Sequence, residues 1–187
     1  MPTLNLQVAA SADDAEQGGA TVLLTGVYLR WYQGDTCHGG FRFVPGASIP
    51  IGSTIISATF SYRYTHTDFD ILTATVWAED TAGPLTFATD DNNISTRIPT
   101  AATAAIADTN VGTDWCALDV TSIIQELATS YTVTAIAIIV YDATSDAARW
   151  VTYDGSAANC PKLDIEYNPP AGGVPRHADY YRHRRIN

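Results

Sequence analysis

The chain has 187 residues, which suits one domain with a two-sheet core. Hydrophobic residues make up 46% and charged residues only 16%, which argues for β-structure and against disorder or coiled coil. The net charge of −10 disfavours a nucleic-acid backbone as the main partner, and no apolar run reaches the length of a membrane span.

Residues 3–9 alternate Leu4, Leu6 and Val8 with polar neighbours, a first strand. Residues 11–19 are small and acidic and read as a loop. Residues 21–24 and 27–32 read as short strands broken at Gly26, with Val27, Leu29 and Trp31 on one face. Gly34-Asp35 marks a turn. Residues 41–64 read as a strand–turn–strand hairpin around Pro45-Gly46 and Pro50-Ile51-Gly52. Phe41 and Phe43 share one face of its first strand; Ile56, Ala58, Phe60, Tyr62 and Tyr64 share one face of its second.

A polar loop over 65–70 leads to a strand over 71–79. Leu72, Ala74 and Val76 form one of its faces; Thr73, Thr75 and Trp77 form the other. Residues 79–93 are a long excursion with Gly83-Pro84 and Asp90-Asp91. Weak strands are expected over 94–106, and a strand carrying Trp115 and Cys116 over 113–118. Val120, Ile123, Ile124 and Leu127 make a single apolar stripe, so a short helix is predicted from Val120 to Ala128. Asp119 offers its N-cap, with Ser122 and Gln125 as a competing capping box.

Residues 133–141 are apolar on both faces, the mark of a central strand. Strands over 149–153 and 162–167 close the sheet, and Pro169-Pro170 ends it. The expected fold is an all-β jelly-roll sandwich with one short helix, spanning residues 1–170. Residues 171–187 follow as an irregular C-terminal arm.

Little in the chain points to catalysis. No metalloprotease, nucleophile-elbow, phosphate-loop or dinucleotide motif is present. His38 and His66 stand alone, and no carboxylate pair has spacing that singles it out. The protein is expected not to be an enzyme and to need no cofactor. Two acidic runs, Asp13-Asp14 with Glu16 and Asp90-Asp91 with Asn93, carry the oxygen ligands that calcium takes, without an EF-hand pattern. Cys37, Cys116 and Cys160 fit three buried thiols, or one bridge and a free thiol. Trp77 with Tyr28 and Tyr32 is a candidate aromatic platform for a glycan; a second buried face is the competing reading for Trp77.

Charge is divided unevenly. Residues 1–170 carry 19 acids against six bases, and residues 171–187 carry Arg176, Arg182, Arg184 and Arg185 against Asp179. Arginine and tyrosine are enriched at interfaces. The arm is therefore expected to bind a partner through Arg176, Tyr180, Tyr181, Arg182, Arg184 and Arg185, pairing its arginines with the acidic body of a neighbouring subunit.

Five stretches, taken in order, resemble a known family. They are GFRFVPGASIPIGSTIISATFSYRY (40–64), LTATVWAEDTAGPLTF (72–87), NNISTRIPTAAT (92–103), DVTSIIQEL (119–127) and RWVTYDGSAANCPKLDIEY (149–167). The pattern is similar to the DNRLRE-type, disaggregatase-repeat-like jelly-roll family and covers most of residues 3–167. The resemblance implies a non-catalytic jelly roll, found in surface or carbohydrate-binding modules and in stand-alone chains similar to tailed-phage virion proteins. It supplies no ligand residue. No signal peptide is visible at the start. The expectation is a virion structural protein made in a host cytoplasm, a homo-oligomer contacting other virion subunits, with no nucleic-acid or membrane partner. The alternative is a carbohydrate-binding module or adhesin, extracellular or at a cell surface.

Overall fold

Alternating apolar residues build most of the strands in the computed structural model, which describes residues 1–31, 36–65, 72–109, 112–142 and 148–171. Among the described residues the strands are β1 (Thr3–Gln7), β2 (Asp14–Gly18), β3 (Thr21–Leu23), β4 (Tyr28–Trp31), β5 (Cys37–Phe43), β6 (Thr54–Arg63), β7 (Leu72–Ala78), β8 (Ala104–Asp108) and β9 (Trp115–Asp119). Helix α1 (Thr121–Ser130) follows, then β10 (Ile136–Asp142), β11 (Ala148–Val151) and β12 (Lys162–Asn168). No described helix is long and apolar enough to cross a membrane.

One sheet has the order β1-β12-β6-β9 and the other β3-β2-β5-β10-β7-β8. β4 and β11 pair as a separate ribbon. The chain is an all-β sandwich with one short helix. Setting β1-β12-β6-β9 against β5-β10-β7-β8 gives the jelly-roll order of two interlocked Greek keys; β2 and β3 widen the second sheet beyond β5. β10 lies between β5 and β7, and Ile136 to Val140 are all buried, as its two-sided apolar sequence requires.

The predicted hairpin over 41–64 is not one. β5 pairs with β2 and β10, while β6 pairs with β12 and β9 in the opposite sheet. The Pro/Gly-rich connection is an arch between layers, too long for a tight turn. Its two strands meet through side chains instead: the Phe60 ring centroid lies 5.6 Å from Phe41 and 6.3 Å from Phe43. Trp150 of β11 completes this core, stacked on Tyr62 at 3.9 Å and set edge-on to Trp31 at 4.7 Å.

Two further expectations change. Residues 14–18 form a strand rather than a loop, with Asp14, Ala15, Glu16 and Gln17 buried. Ile56 leaves the apolar face of β6. Tyr167 pairs with Ile55 and Glu166 with Ser57, so Ile56 is the extra residue of a bulge. The bulge turns Ile55 inward and leaves Ile56 45% exposed.

α1 begins one residue later than predicted and ends two residues later. Asp119 Oδ1 accepts the Thr121 N–H at 2.8 Å. Ser122 and Gln125 do not form the capping box, because Gln125 is used elsewhere: its Oε1 accepts the Ile55 N–H at 2.8 Å and its Nε2 donates to Ser53 O at 3.1 Å. Thr121 Oγ1 accepts the Ala58 N–H at 2.9 Å. The β9 ladder on β6 stops at Thr59, and side chains of α1 serve the edge of β6 beyond it.

Candidate functional site

Three places gather polar or aromatic groups. The first is the acidic row formed by Asp13 and the β2 strand that follows it. Asp13 Oδ1 accepts from Arg42 Nη1 at 2.7 Å, and Arg42 Nε donates to Pro84 O at 2.8 Å. Asp14 Oδ2 accepts the Tyr153 N–H at 2.6 Å, and Glu16 Oε2 accepts the Arg30 N–H at 2.8 Å. Gln17 Oε1 accepts the N–H groups of Ile94 and Ser95 at 3.0 and 2.9 Å. Each polar side chain of this strand therefore clamps a different segment to the sheet.

Asp14, Glu16, Tyr28 and Thr152 border a cavity of about 10 Å³, room for one water and not for a sugar ring. Burial pushes the Asp14 carboxyl up to about 7 and raises Glu16 as well. Both carboxylates accept from backbone donors and so tie neighbouring segments to the sheet. Among the described residues no group of three or more His, Cys, Asp or Glu is placed to hold a metal ion. Cys37 and Cys160 are buried and Cys116 is half-buried, and no disulfide joins them.

The second place is Trp77, where the buried-face reading holds and the glycan platform does not. Trp77 does face away from Leu72 and Val76, but it is only 9% exposed. It packs with Ala15, Val22, Phe87, Ile94, Ala137 and Ile139 under the excursion after β7. Arg97 braces that cover: it pairs with Glu79, lies 4.3 Å over the Phe87 ring and donates to Leu85 O and Thr86 O. The outer face of this sheet is a second interior. Tyr28 sits on the separate ribbon, with the Arg30 and Arg149 guanidinium groups 5.3 and 5.0 Å from its ring. Trp77 and Tyr28 do not form one platform, and Tyr32 lies outside the described residues.

The third place went unmarked by sequence reasoning. Trp115 stands on the open face of the four-stranded sheet and is 39% exposed. The signal was present: Cys116 and Leu118 alternate toward the core, so Trp115, Ala117 and Asp119 point outward. Lys162 Nζ lies 4.3 Å from the indole centroid and the Arg63 guanidinium 5.8 Å.

His38 is half-buried beside Tyr141, ring centroids 4.8 Å apart, and burial lowers its pKa; His66 lies outside the described residues. So do Arg176, Tyr180, Tyr181, Arg182, Arg184 and Arg185 of the arm. A comparison with protein-family models finds no match, and neither does one with curated proteins. The likeness to DNRLRE-type jelly rolls therefore rests on the motifs quoted above.

Proposed function

We propose that the chain is a non-enzymatic structural protein of a virion, a head-decoration or minor head or tail protein, assembling through its jelly roll and C-terminal arm. The charge division carries this reading: 19 acids against six bases in residues 1–170, and four arginines against one acid in residues 171–187. Asp90, Asp91, Asp114, Asp154 and Asp164 are exposed on the body, where arginines of a neighbour's arm reach them as fork-to-carboxylate pairs. Leu85 and Ile98, 81% and 68% exposed beside the braced Arg97, add apolar contact area. The virion setting rests on the family resemblance.

Sedimentation of the full chain and of a chain ending at Pro170 tests the proposal. The full chain is expected to be an oligomer, and the shortened one a monomer with the same circular dichroism. An oligomeric state unmoved by the truncation overturns the role of the arm. Antibody labelling of intact particles tests the virion setting, and unlabelled particles overturn it.

A further inference from the structure

The two sheets differ in what lies over their outer faces. The six-stranded sheet is roofed by the excursion after β7, which buries Trp77, Ala137 and Ile139. On the four-stranded sheet Asn5, Ser57, Asp164, Ala117 and Asp119 are exposed among the described residues. Strand register sorts the charges of this face into bands. Asp164, Thr59 and Asp119 stand in one row across β12, β6 and β9. Lys162, opposite Ser61, is one row further, and Arg63, opposite Trp115, is two, about 7 and about 13 Å along the strands. Asp114 comes just past Trp115 and is exposed. Along the strands the face is therefore acidic, basic and acidic again.

The arm leaves from the Asp164 end of this face. β12 runs from Lys162 to Asn168, and Pro170 lies against Gly52, where an added Cβ would stand 3.7 Å from the Pro170 Cβ. At the same end the β6 bulge leaves Ile56 45% exposed. An extended chain laid along the sheet from there meets Ile56, then the Asp164 row, then Lys162 and Arg63, then Asp114. The sequence beyond Pro170 presents Val174, Arg176, Asp179 and Arg182 in that order. Arg176 to Asp179 and Asp179 to Arg182 are three residues each, about 10 Å in extended chain. Apolar meets apolar, and each charge meets its opposite, in one register.

Direction decides which copy supplies the arm. An arm docking on its own sheet would have to reverse after β12, whereas Pro169 and Pro170 favour extended chain. In a two-fold pair with its axis across these strands, the partner copy's β12 runs antiparallel to this one. An arm that continues straight from β12 then enters the partner's face at its Asp164 end and runs toward Lys162.

We propose that the outer face of β12, β6 and β9 is the docking surface for residues 174–182 of a second copy. Arg176 sits over Thr59 between Asp164 and Asp119 as a charge-assisted donor to both, and Asp179 meets Lys162 and Arg63. This rests on the assembly role proposed for the arm and gives it a place and a register.

Sedimentation of four full-length chains tests it. They are the parent, a face exchange (Lys162→Glu with Asp164→Lys), an arm exchange (Arg176→Asp with Asp179→Arg), and both exchanges together. Each exchange keeps the net charge and inverts only its order. Either exchange alone is expected to weaken association at least ~10-fold, and the two together to restore it to within ~3-fold of the parent. A mixture of the face-exchanged and arm-exchanged chains matches native arm to native face and inverted arm to inverted face, so it is expected to associate like the parent. Parent-like association of either single exchange, or no recovery when both are combined, overturns the proposal. Recovery in the combined chain but not in the mixture puts the arm on its own sheet and overturns the second copy as occupant. The arm exchange lies outside the sandwich, so it tests the register even where the face exchange disturbs folding. A monomeric parent, or a chain ending at Pro170 that still associates, defeats the assembly role itself. An oligomer that needs the arm but ignores the exchanges defeats this placement alone.

Discussion

Asp14 Oδ2 accepts the backbone N–H of Tyr153 at 2.6 Å, joining β2 to the segment that follows β11. The carboxyl is buried, near Asp13 and Asp154, and its pKa stands at about 7 instead of 3.8. Below about pH 4 the folded and unfolded chains both hold the proton. Between about pH 4 and about pH 7 the unfolded chain ionises first, so stability falls as pH rises through that window. The loss is at most ~4 kcal/mol and is constant above it. Glu16, also raised by burial, acts in the same direction. Asp14→Asn keeps an acceptor for Tyr153 and cannot ionise. Urea melts are expected to show its advantage over the parent chain growing from pH 4 to pH 7. An advantage that does not vary with pH would rule out Asp14 as the titrating group.

Asp108 ties the two layers together by another device. Its Oδ2 accepts the hydroxyls of Tyr62 at 2.6 Å and Tyr64 at 3.0 Å. Asp108 ends β8 in one sheet, and the tyrosines lie on or beside β6 in the other. Burial holds both phenols above their usual range, so they stay neutral donors. Asp108→Ala strands two buried hydroxyls and is expected to cost about 2–4 kcal/mol. In a Tyr62→Phe, Tyr64→Phe background the same change is expected to cost under ~1 kcal/mol. Equal costs in the two backgrounds, read from denaturant melts, would show that the hydroxyls do not depend on Asp108.

Apolar alternation made most of the sandwich readable. Leu163, Ile165 and Tyr167 of β12, and the unbroken run of β10, are buried as their pattern requires. β2 was not readable, because Asp-Ala-Glu-Gln-Gly has no apolar face. It is a strand because Asp14, Glu16 and Gln17 each find a donor on a segment 14 to 139 residues away, which no local pattern encodes. The partner of β6 was misread because alternation reports which face is apolar and not which strand lies beside it. For Trp77 a glycan platform and a second buried face were both open, and the buried face is the one that holds: residues 80–98 return over it, and only the tertiary fold decides which aromatic is covered. Trp115 shows the converse, an outward aromatic that stands 39% exposed among the described residues.

Gly155 marks a close approach that only glycine permits. A Cβ there would lie 1.9 Å from the Val27 carbonyl oxygen, a backbone atom that cannot swing aside. Thr152 secures the same contact, its Oγ1 donating to Gly26 O at 2.6 Å. Gly155→Ala is expected to push the start of β4 away from the segment after β11, at about 2–3 kcal/mol. Hydrogen exchange should rise at residues 26–31 more than in β10. A variant as stable as the parent would mean that the two segments part without loss.

Trp77 and Trp115 should answer differently to truncation, because one indole is covered and the other stands 39% exposed. Trp77→Ala empties the cluster beneath Phe87 and Ile94 and is expected to cost about 3–5 kcal/mol. Trp115→Ala removes an open side chain with two weak cation contacts and should change stability by no more than about 1 kcal/mol. Denaturant melts of both variants give the comparison. Equal costs at the two positions would show that the excursion after β7 does not pack Trp77 as a second interior.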